Sequence, residues 1–484
     1  MSKFQPISYY KNKNKKYSFL PFRFTELDKT QFVLTNMAGE YIVIKKSIFK
    51  KFFQKTLSQD TTEYNNLRNN HFLIDEETSI ATELLPIKIR TRYNTLPEFT
   101  GLHMFVISLR CEHSCPYCQV SRQSHDKDKY DMSEETADKA IDLVFQSPSK
   151  YLKIEFQGGE PLLNFNLLKY IVINAKNKVP NDKHLSFVIA TNLAVITDEI
   201  ISFCKEHNIN ISTSLDGPKE LHNRNRPRPG KDSYERTISG INKAKNALGP
   251  DSVSALMTTT EASLPHVKEI IDEYLIQNLN GVFLRPLSPY GYAIKTKYYD
   301  KYKSDTWLNF YKEGLDYIIK LNHNGTNFIE FYTKTILQKM FTFDSTGYVD
   351  LMSPAGTGIA AVIYNYDGAI YASDEGRMLA ENKDYSFKLG TVNNTYKEIF
   401  GSDTLLNMLD ESFAKSVPMC TDCAFEDYCG ADPVFHHTTQ KDIVGHKPTS
   451  EFCNRNMSIF KHLITRMENS KEDEKLFRYW ATQC

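Results

Sequence analysis

Hydrophobic and polar positions follow two different patterns along this chain, and the change from one to the other divides it into regions. In the first hundred residues, three short strand-like segments, 22–27, 31–36 and 40–45, are separated by turn residues and followed by a helical stretch at 47–57. This pattern predicts a small α+β domain over residues 1–100. This region contains no motif with recognisable catalytic or ligand-binding chemistry. It is consistent with a packing or dimerisation module, or with a module that binds a peptide by strand addition.

Strands and helices alternate from residue 101 onward. The predicted strands are 103–110, 151–157, 184–192, 210–216, 253–260 and 281–289, and the predicted helices are 133–145, 167–178, 198–207, 234–248 and 265–278. Regular alternation of this kind predicts an α/β fold with a parallel sheet and right-handed crossovers, closed as a partial (β/α)6 barrel over residues 101–325. In such folds the chemistry lies on loops at the carboxyl ends of the strands.

The remaining residues, 326–484, predict a third, cysteine-rich domain. Helices are expected over 303–345, and residues 360–372 read as a β-hairpin with Asp367-Gly368 at its turn. Four cysteines follow between positions 420 and 453.

Charge and targeting signals narrow the class of protein. Lys+Arg and Asp+Glu both number 59, so zero net charge removes the simplest argument for a nucleic-acid or anionic-membrane partner. The chain shows no signal-peptide core at its N-terminus and no apolar run long enough to span a membrane, and the basic stretch at 11–16 is expected to be a solvated tail. A cytoplasmic location is therefore expected, where the nine cysteines stay reduced and metal ligation is favoured over disulfides.

Three cysteines stand close together directly after the first predicted barrel strand. Cys111, Cys115 and Cys118 have the spacing C-x3-C-x2-C. Three thiolates on one loop can each bind one iron of a [4Fe–4S] cluster, which leaves the fourth iron open to a small molecule. The alternative is a zinc site made of the three cysteines and a histidine such as His113.

A second motif follows the next predicted strand. Gly158 and Gly159 are suited to a close approach of the backbone to a ligand, and Glu160 offers a carboxylate that can accept hydrogen bonds from an ammonium group. Thr191-Asn192 and Arg285-Pro286-Leu287 end later strands and are expected at the same mouth.

Together these motifs resemble the radical S-adenosylmethionine (SAM) superfamily, whose signature is C-x3-C-x2-C. The resemblance implies that the open iron chelates SAM through its amino and carboxylate groups. It also implies that the reduced cluster cleaves SAM to methionine and a 5′-deoxyadenosyl radical, which abstracts hydrogen from a substrate.

The same resemblance assigns roles to the SAM pocket. Its glycine–glutamate motif would hold the amino group of SAM, and the Tyr117 backbone would contact the adenine. Ser214 would contact the ribose or the carboxylate, Arg226 would pair with the methionyl carboxylate, with Arg224 as the alternative, and Leu287 would pack on the adenine.

The second cysteine group consists of Cys420, Cys423, Cys429 and Cys453. Four thiolates close either a tetrahedral zinc site or a second [4Fe–4S] cluster. The segment resembles the SPASM domain of peptide-modifying radical SAM enzymes, which usually binds two auxiliary clusters. Pro433 and Ala372-Ser373 occupy positions where further cysteines are expected, so one auxiliary cluster is predicted, suited to carrying electrons or stabilising the domain.

Longer stretches narrow the resemblance further. The segments CPYCQVSRQ, LKIEFQGGEPLLNF, STSLDGPKELHNRNRPRPG, SALMTTT and FLRPLSPYG resemble the radical SAM maturase of the His-Xaa-Ser system, the HxsB type. This resemblance covers residues 20–455 and implies modification of a peptide or protein with His-Xaa-Ser repeats. It also implies a second radical SAM protein as partner and an electron donor such as flavodoxin or ferredoxin.

Other functions remain open from the sequence. The nearest enzymatic alternative is a sulfatase-type maturase that forms formylglycine. A second alternative is a non-catalytic iron–sulfur partner of another maturase, and a third is a zinc-bearing RNA-modifying or regulatory protein. No catalytic base is assigned, although Asp374 follows the position of a missing cysteine, and Asp432 and His436 lie near the second cysteine group in the sequence. Cys204 is expected in a helix core, and Cys484 is expected to be free.

Overall fold

The structure, a computed structural model, describes residues 17–76, 80–343, 346 and 348–483, so the predicted basic tail at 11–16 and Cys484 lie outside the described residues. Its strands are β1 Ser18–Phe19, β2 Phe22–Glu26, β3 Gln31–Asn36, β4 Tyr41–Lys45, β5 Leu73–Ile74, β6 Leu102–Ser108, β7 Tyr151–Gly158, β8 His184–Thr191, β9 Ile209–Ser214, β10 Val253–Leu256, β11 Gly281–Val282, β12 Ile329–Glu330, β13 Ala361–Tyr364, β14 Ala369–Tyr371 and β15 Lys388–Thr391.

The helices surround and connect these strands. They are α1 Lys46–Phe53, α2 Thr62–Asn69, α3 Ile80–Arg92, α4 Lys127–Tyr130, α5 Glu134–Val144, α6 Phe165–Lys178, α7 Asp198–His207, α8 Lys219–Asn225, α9 Ser233–Leu248, α10 Val267–Ile276, α11 Tyr292–Lys295, α12 Ser304–His323, α13 Phe331–Phe341, α14 Asp374–Ala380, α15 Tyr396–Phe400, α16 Asp403–Ser412, α17 Pro433–Gln440, α18 Glu451–Asn469 and α19 Lys471–Thr482. No helix in the described ranges is long and apolar enough to cross a membrane.

The main sheet confirms the predicted α/β fold class. Within the described chain its strand order is β10-β9-β8-β7-β6-β13-β14-β15. The strands from β6 to β10 are parallel and joined by helices, as the alternating pattern predicts. Their carboxyl ends therefore meet at one edge of the sheet.

Helices cover this sheet because their apolar faces are periodic. α5 begins after Ser133, whose Oγ accepts a hydrogen bond from the Thr136 backbone N–H at 3.1 Å. Its buried residues, which include Ile141 and Val144, join the core formed with Ile154 of β7. Cys204, in α7, is fully buried in the same core, as predicted.

The sixth predicted strand is much shorter than expected. Of residues 281–289, Gly281–Val282 forms β11, and it pairs in parallel with β12 in a separate two-stranded sheet. Pro286 and Pro289 have no N–H for a ladder, and the Leu284 N–H is donated to the Glu330 carboxylate at 3.1 Å. The main sheet thus takes five of the six predicted strands.

The hairpin of β13 and β14 lies next to β6 rather than in a distant domain. β13 pairs in parallel with β6, with Val362 opposite His103, and β14 returns antiparallel to it. The hairpin predicted for the third region therefore extends the sheet of the second, since a parallel neighbour was available at the free edge of β6.

The three strands predicted near the N-terminus form an antiparallel meander. β3 is the central strand between β2 and β4, with Leu34 opposite Phe24 and Ile42. Tyr17, Leu34, Phe52 and Phe72 contribute to its own hydrophobic core. This unit has enough buried apolar surface to pack as a module.

The same unit is anchored on the loop that carries the second cysteine group. The Arg23 guanidinium donates to the Thr421 carbonyl at 2.6 Å and lies 3.0 Å from the Glu426 carboxylate. The Tyr428 hydroxyl donates to the Gly39 carbonyl at 2.6 Å. Because the Arg23 and Glu426 side chains are buried, removing Arg23 leaves Lys415, 3.0 Å away, as the remaining cation beside the Glu426 carboxylate.

Substitution of Arg23 by alanine tests this anchor. We expect Arg23→Ala to lower the free energy of unfolding by about 3 kcal/mol, because it leaves the buried Glu426 carboxylate with less compensating charge. The measurement is urea denaturation followed by circular dichroism. Arg478→Ala, which removes a half-exposed bridge to Glu474, serves as the matched control with a cost under about 1 kcal/mol. Equal losses in the two variants would contradict the anchoring role.

Candidate functional site

The loops after β6, β7, β8 and β9 enclose one cavity of about 240 Å³ at the carboxyl edge of the sheet. The strand-end rule predicted this position. The sequence-predicted residues that line it are Cys111, Cys115, Tyr117, Cys118, Gly158, Gly159, Thr191, Asn192, Ser214, Arg226 and Arg285.

The cysteine loop is held by charged and backbone contacts on both sides. Arg110, just before Cys111, donates to both oxygens of the Asp131 carboxylate at 2.7 Å. The Ser114 N–H donates to the Pro227 carbonyl at 2.8 Å, and the Cys118 carbonyl accepts from the Tyr292 N–H at 2.8 Å. These contacts hold the backbone of the cysteine loop in place.

The three thiols line one cavity, as ligands of a shared metal centre would. Burial raises the pKa of Cys111 well above its usual value and that of Cys115 to about 12. Cys111 and Cys115 would therefore carry neutral thiols at physiological pH, whereas a cationic iron centre would favour their thiolates.

The zinc alternative requires His113 as the fourth ligand, and both nitrogens of His113 have protein partners. Nε2 lies 2.7 Å from the Ser233 hydroxyl, and Nδ1 lies 2.9 Å from Glu112 and 3.0 Å from Asn192. Cys111, Glu112 and His113 do bring their ligand atoms within 4.8 Å of one another. The occupied imidazole nevertheless favours a centre ligated by the three thiols alone.

Gly158 and Gly159 are required by a neighbouring backbone. Gly158 has φ +135°, and a Cβ on it would overlap the Ser108 carbonyl, while a Cβ on Gly159 would overlap the Arg110 carbonyl. The Gly159 N–H donates to Ser108 at 2.8 Å. The sequence suggested that these glycines allow the backbone to approach a ligand closely. In the structure they also allow the loops after β6 and β7 to approach each other.

Glu160 lies beneath the cavity wall rather than on it. Its carboxylate is fully buried and accepts hydrogen bonds from the Thr191 hydroxyl at 2.7 Å and from the Asn192 and Leu162 N–H groups at 2.9 and 3.0 Å. Burial, with the nearby Glu112 charge, raises its pKa to about 8. In this arrangement Glu160 positions the end of β8, and the predicted contact with a ligand ammonium group stays a prediction.

Arg226 reaches the cavity, whereas Arg224 is exposed and does not line it. Both Arg226 and the Tyr117 hydroxyl are held by Asp216, which is fully buried: the hydroxyl donates at 2.5 Å, and the guanidinium lies 3.1 Å away. Burial opposes the charge of Arg226, but Asp216 stabilises it and raises its pKa. The cavity thus contains a fixed positive charge.

Leu287 is buried beside Tyr117 and does not line the cavity. Its predicted contact with an adenine stays a prediction.

Some cavity residues were not singled out from the sequence. Glu155 and Gln157 line one wall, and Met378 of α14 lines another. The period-two alternation of β7 was the available signal, since its polar positions 153, 155 and 157 share one face. Asp216 and Met378 act through tertiary packing, which the sequence pattern does not reveal.

The four cysteines of the second group line one cavity of about 370 Å³: Cys420, Cys423, Cys429 and Cys453. Burial raises the pKa of Cys420 and Cys423 to about 12 and that of Cys453 to about 11. Four thiols on one cavity are the ligand set of a fully ligated metal centre, which stays a prediction here, and Phe24 of β2 contributes to the cavity wall.

The positions where further cysteines were expected carry helix caps instead. The Ser373 hydroxyl accepts from the Gly376 N–H at 3.1 Å at the start of α14. Pro433 is the first residue of α17, capped by Asp432. Both positions therefore serve the backbone.

Comparison with known proteins shows which proteins this chain is similar to. Residues 105–273 match the family model of the radical SAM superfamily. An uncharacterized protein of Methanocaldococcus jannaschii is 33% identical over 171 residues, 35% of this chain, and the chain spans about half of that relative, 56% of its length. The serine-type anaerobic sulfatase-maturating enzyme of Bacteroides thetaiotaomicron is 23% identical over 386 residues, 76% of this chain and 89% of that protein.

Solved structures share the fold. Native anSMEcpe with bound AdoMet and Cp18Cys peptide superposes with a TM-score of 0.61 at 19% identity, covering 76% of this chain and 97% of that one. Streptococcus suis SuiB bound to the precursor peptide SuiA gives a TM-score of 0.53 at 15% identity, covering 89% and 98%.

Replacing Gly159 tests the contact between the two loops. We expect Gly159→Ala to displace the cysteine loop, because the new Cβ overlaps the Arg110 carbonyl, and to lower the iron bound after reconstitution by about half, with the second cysteine group as internal reference. Gly325→Asn, at a turn where a Cβ meets open space, is the control. Iron content equal to that of the parent would contradict the role assigned to Gly159.

Proposed function

We propose that this chain, which belongs to the radical SAM superfamily, is an enzyme that abstracts hydrogen from a ribosomally made peptide or protein and so installs a post-translational modification. The observation that carries the proposal is the convergence of Cys111, Cys115 and Cys118 with the Arg226 charge on one cavity at the strand ends. Thiols and a fixed cation in one enclosed space suit a cluster and an anionic ligand group.

In this proposal the chain's own residues bind and orient the reactants. Cys111, Cys115 and Cys118 would hold a [4Fe–4S] cluster that, when bound and reduced, supplies the electron for cleavage of SAM to methionine and a 5′-deoxyadenosyl radical. Arg226, held by Asp216, would face the carboxylate of SAM. Ser214 on the wall would meet its ribose, and Tyr117 the adenine.

A peptide or protein substrate is supported by the proteins of similar fold. SuiB has been solved bound to the precursor peptide SuiA, and anSMEcpe has been solved with a bound Cp18Cys peptide. Because the stretches quoted from the sequence resemble the His-Xaa-Ser maturase, we propose that the substrate is a chain with His-Xaa-Ser repeats. If the substrate is of this kind, we expect two partners. One is a second radical SAM protein, and the other is an electron donor such as flavodoxin or ferredoxin.

The second cysteine group would hold one auxiliary [4Fe–4S] cluster. Its four thiols would ligate all four irons, so the cluster would transfer electrons or stabilise the domain. The N-terminal unit, docked beside it, is a candidate for peptide recognition. Its edge strand β2 presents Phe24, which is 45% exposed, and α1 presents Phe53, which is 59% exposed.

Formylglycine formation is the second candidate, favoured by the similarity to the serine-type sulfatase-maturating enzyme over 76% of this chain. The two candidates differ in product. Oxidation of a serine or cysteine to an aldehyde changes the substrate mass at that residue and creates a carbonyl that reacts with hydrazides, whereas a crosslink or an epimerised centre creates none.

SAM cleavage tests the proposal directly. With both clusters reconstituted anaerobically and reduced by dithionite, we expect the parent protein to accumulate 5′-deoxyadenosine. We expect Cys115→Ala to lower the amount of 5′-deoxyadenosine by at least about 100-fold, because removing an essential group typically lowers the rate by that order of magnitude. Quantification is by mass spectrometry.

Cys204→Ala is the matched control, since Cys204 lies in the core away from both cavities and its loss should leave the product unchanged. A parent protein that contains its clusters and makes no 5′-deoxyadenosine would refute the enzyme proposal and favour the non-catalytic partner.

A further inference from the structure

A third, smaller cavity adjoins the cavity lined by Cys111, Cys115 and Cys118, and we call it the linking cavity. Its free volume is about 30 Å³. Its charged walls are the carboxyls of Asp350, Glu375 and Asp432 and the guanidinium groups of Arg285 and Arg455. Tyr290, Tyr332 and Tyr348 contribute further polar groups. Charges of both signs are thus concentrated around a space that holds a few atoms.

The polar groups of the linking cavity are incompletely paired. The buried Nε of Arg455 has no protein hydrogen-bond partner in the described ranges. Leaving a buried donor without an acceptor costs about 1–3 kcal/mol, so such groups indicate a ligand that completes them.

The linking cavity has contacts with both cysteine sites. Arg285 lines it and also lines the cavity of the first three cysteines. On the other side, the Tyr332 hydroxyl donates to the Asn456 side chain at 2.9 Å, and the Asn456 amide lies 3.9 Å from the Cys429 sulfur. A group in the linking cavity would therefore lie between the two sites.

The first turn of α14 contributes to both the linking cavity and the cavity of the first three cysteines. Asp374 lines the cavity of the first three cysteines, and the next residue, Glu375, lines the linking cavity. Burial raises the pKa of Glu375, Asp350 and Asp432; repulsion from neighbouring carboxylates adds to the effect at Glu375 and Asp432, while Arg285 and Arg455 oppose it at Asp350. The pKa of Glu375 is about 7, so its carboxyl exists partly in the protonated form and can donate as well as accept hydrogen bonds.

We propose that the linking cavity is a subsite for one hydroxyl side chain, serine or threonine, of the peptide substrate; this inference rests on the proposed function. A buried water needs roughly 10–15 Å³, so the cavity has room for about two water-sized groups, which is the size of a hydroxymethyl. A hydroxyl donates one hydrogen bond and accepts others, which matches walls that carry carboxyls, guanidinium groups and phenol hydroxyls. An apolar side chain would leave the Arg455 Nε unpaired.

Affinity selection tests the subsite without turnover. The bait is the immobilised protein with both clusters reconstituted and SAM present, kept anaerobic and unreduced, and the probe is a library of random twelve-residue peptides. We expect serine and threonine to be enriched at least 3-fold at one position of the captured peptides. Tyr290→Phe and Glu375→Gln, which each remove one polar contact, should abolish that enrichment.

Tyr364→Phe is the matched control. Tyr364 is buried and contacts His103, and it lines neither cavity, so this variant should retain the enrichment. Enrichment of apolar residues, no preference at any position, or the same preference in all variants would overturn the inference.

The proposed function is judged separately on the same preparations by SAM cleavage. Hydroxyl enrichment without 5′-deoxyadenosine would sustain the subsite and refute the enzyme. The reverse result would refute the subsite alone.

Discussion

The contact between the backbone after β6 and the backbone after β7 is the constraint on which the rest of the site depends. Gly159 donates to the Ser108 carbonyl, Glu160 donates to the Arg110 carbonyl, and neither glycine has room for a Cβ. This contact brings the cysteine loop against the next strand end. Because the parallel strands end at one edge, β8 and β9 then add their own side chains to the same cavity.

Buried acids organise the walls of that cavity. Glu160 holds the end of β8 through Thr191 and Asn192, and Asp216 holds Arg226 and Tyr117 together. A buried carboxylate is costly unless several donors satisfy it, and each of these two has them. Residues that resemble ligand contacts in sequence thus also position their neighbours, and the arginine that faces the cavity is preorganised.

The second cysteine group depends on parts of the chain that are far apart in sequence. Its loop at 420–429 is held by Arg23 and Gly39 from the N-terminal unit, while Cys453 comes from α18. The N-terminal meander therefore has a structural role in completing the wall of that site, beside any role in recognition. The hydrogen-bonded series Tyr332–Asn456–Cys429 then connects this site to the linking cavity.

The sequence by itself determined features that local chemistry controls. The cysteine spacing, the glycine pair, the capped helix after Ser133 and the alternation of strands and helices all depend on neighbours along the chain, and the structure has them where the pattern predicts. Packing decided the rest. It selected Arg226 over Arg224, turned Glu160 inward, shortened the strand at 281–289 and brought β13 to β6. These outcomes depend on which distant groups satisfy a buried charge or a free strand edge, and a linear pattern contains no record of those partners.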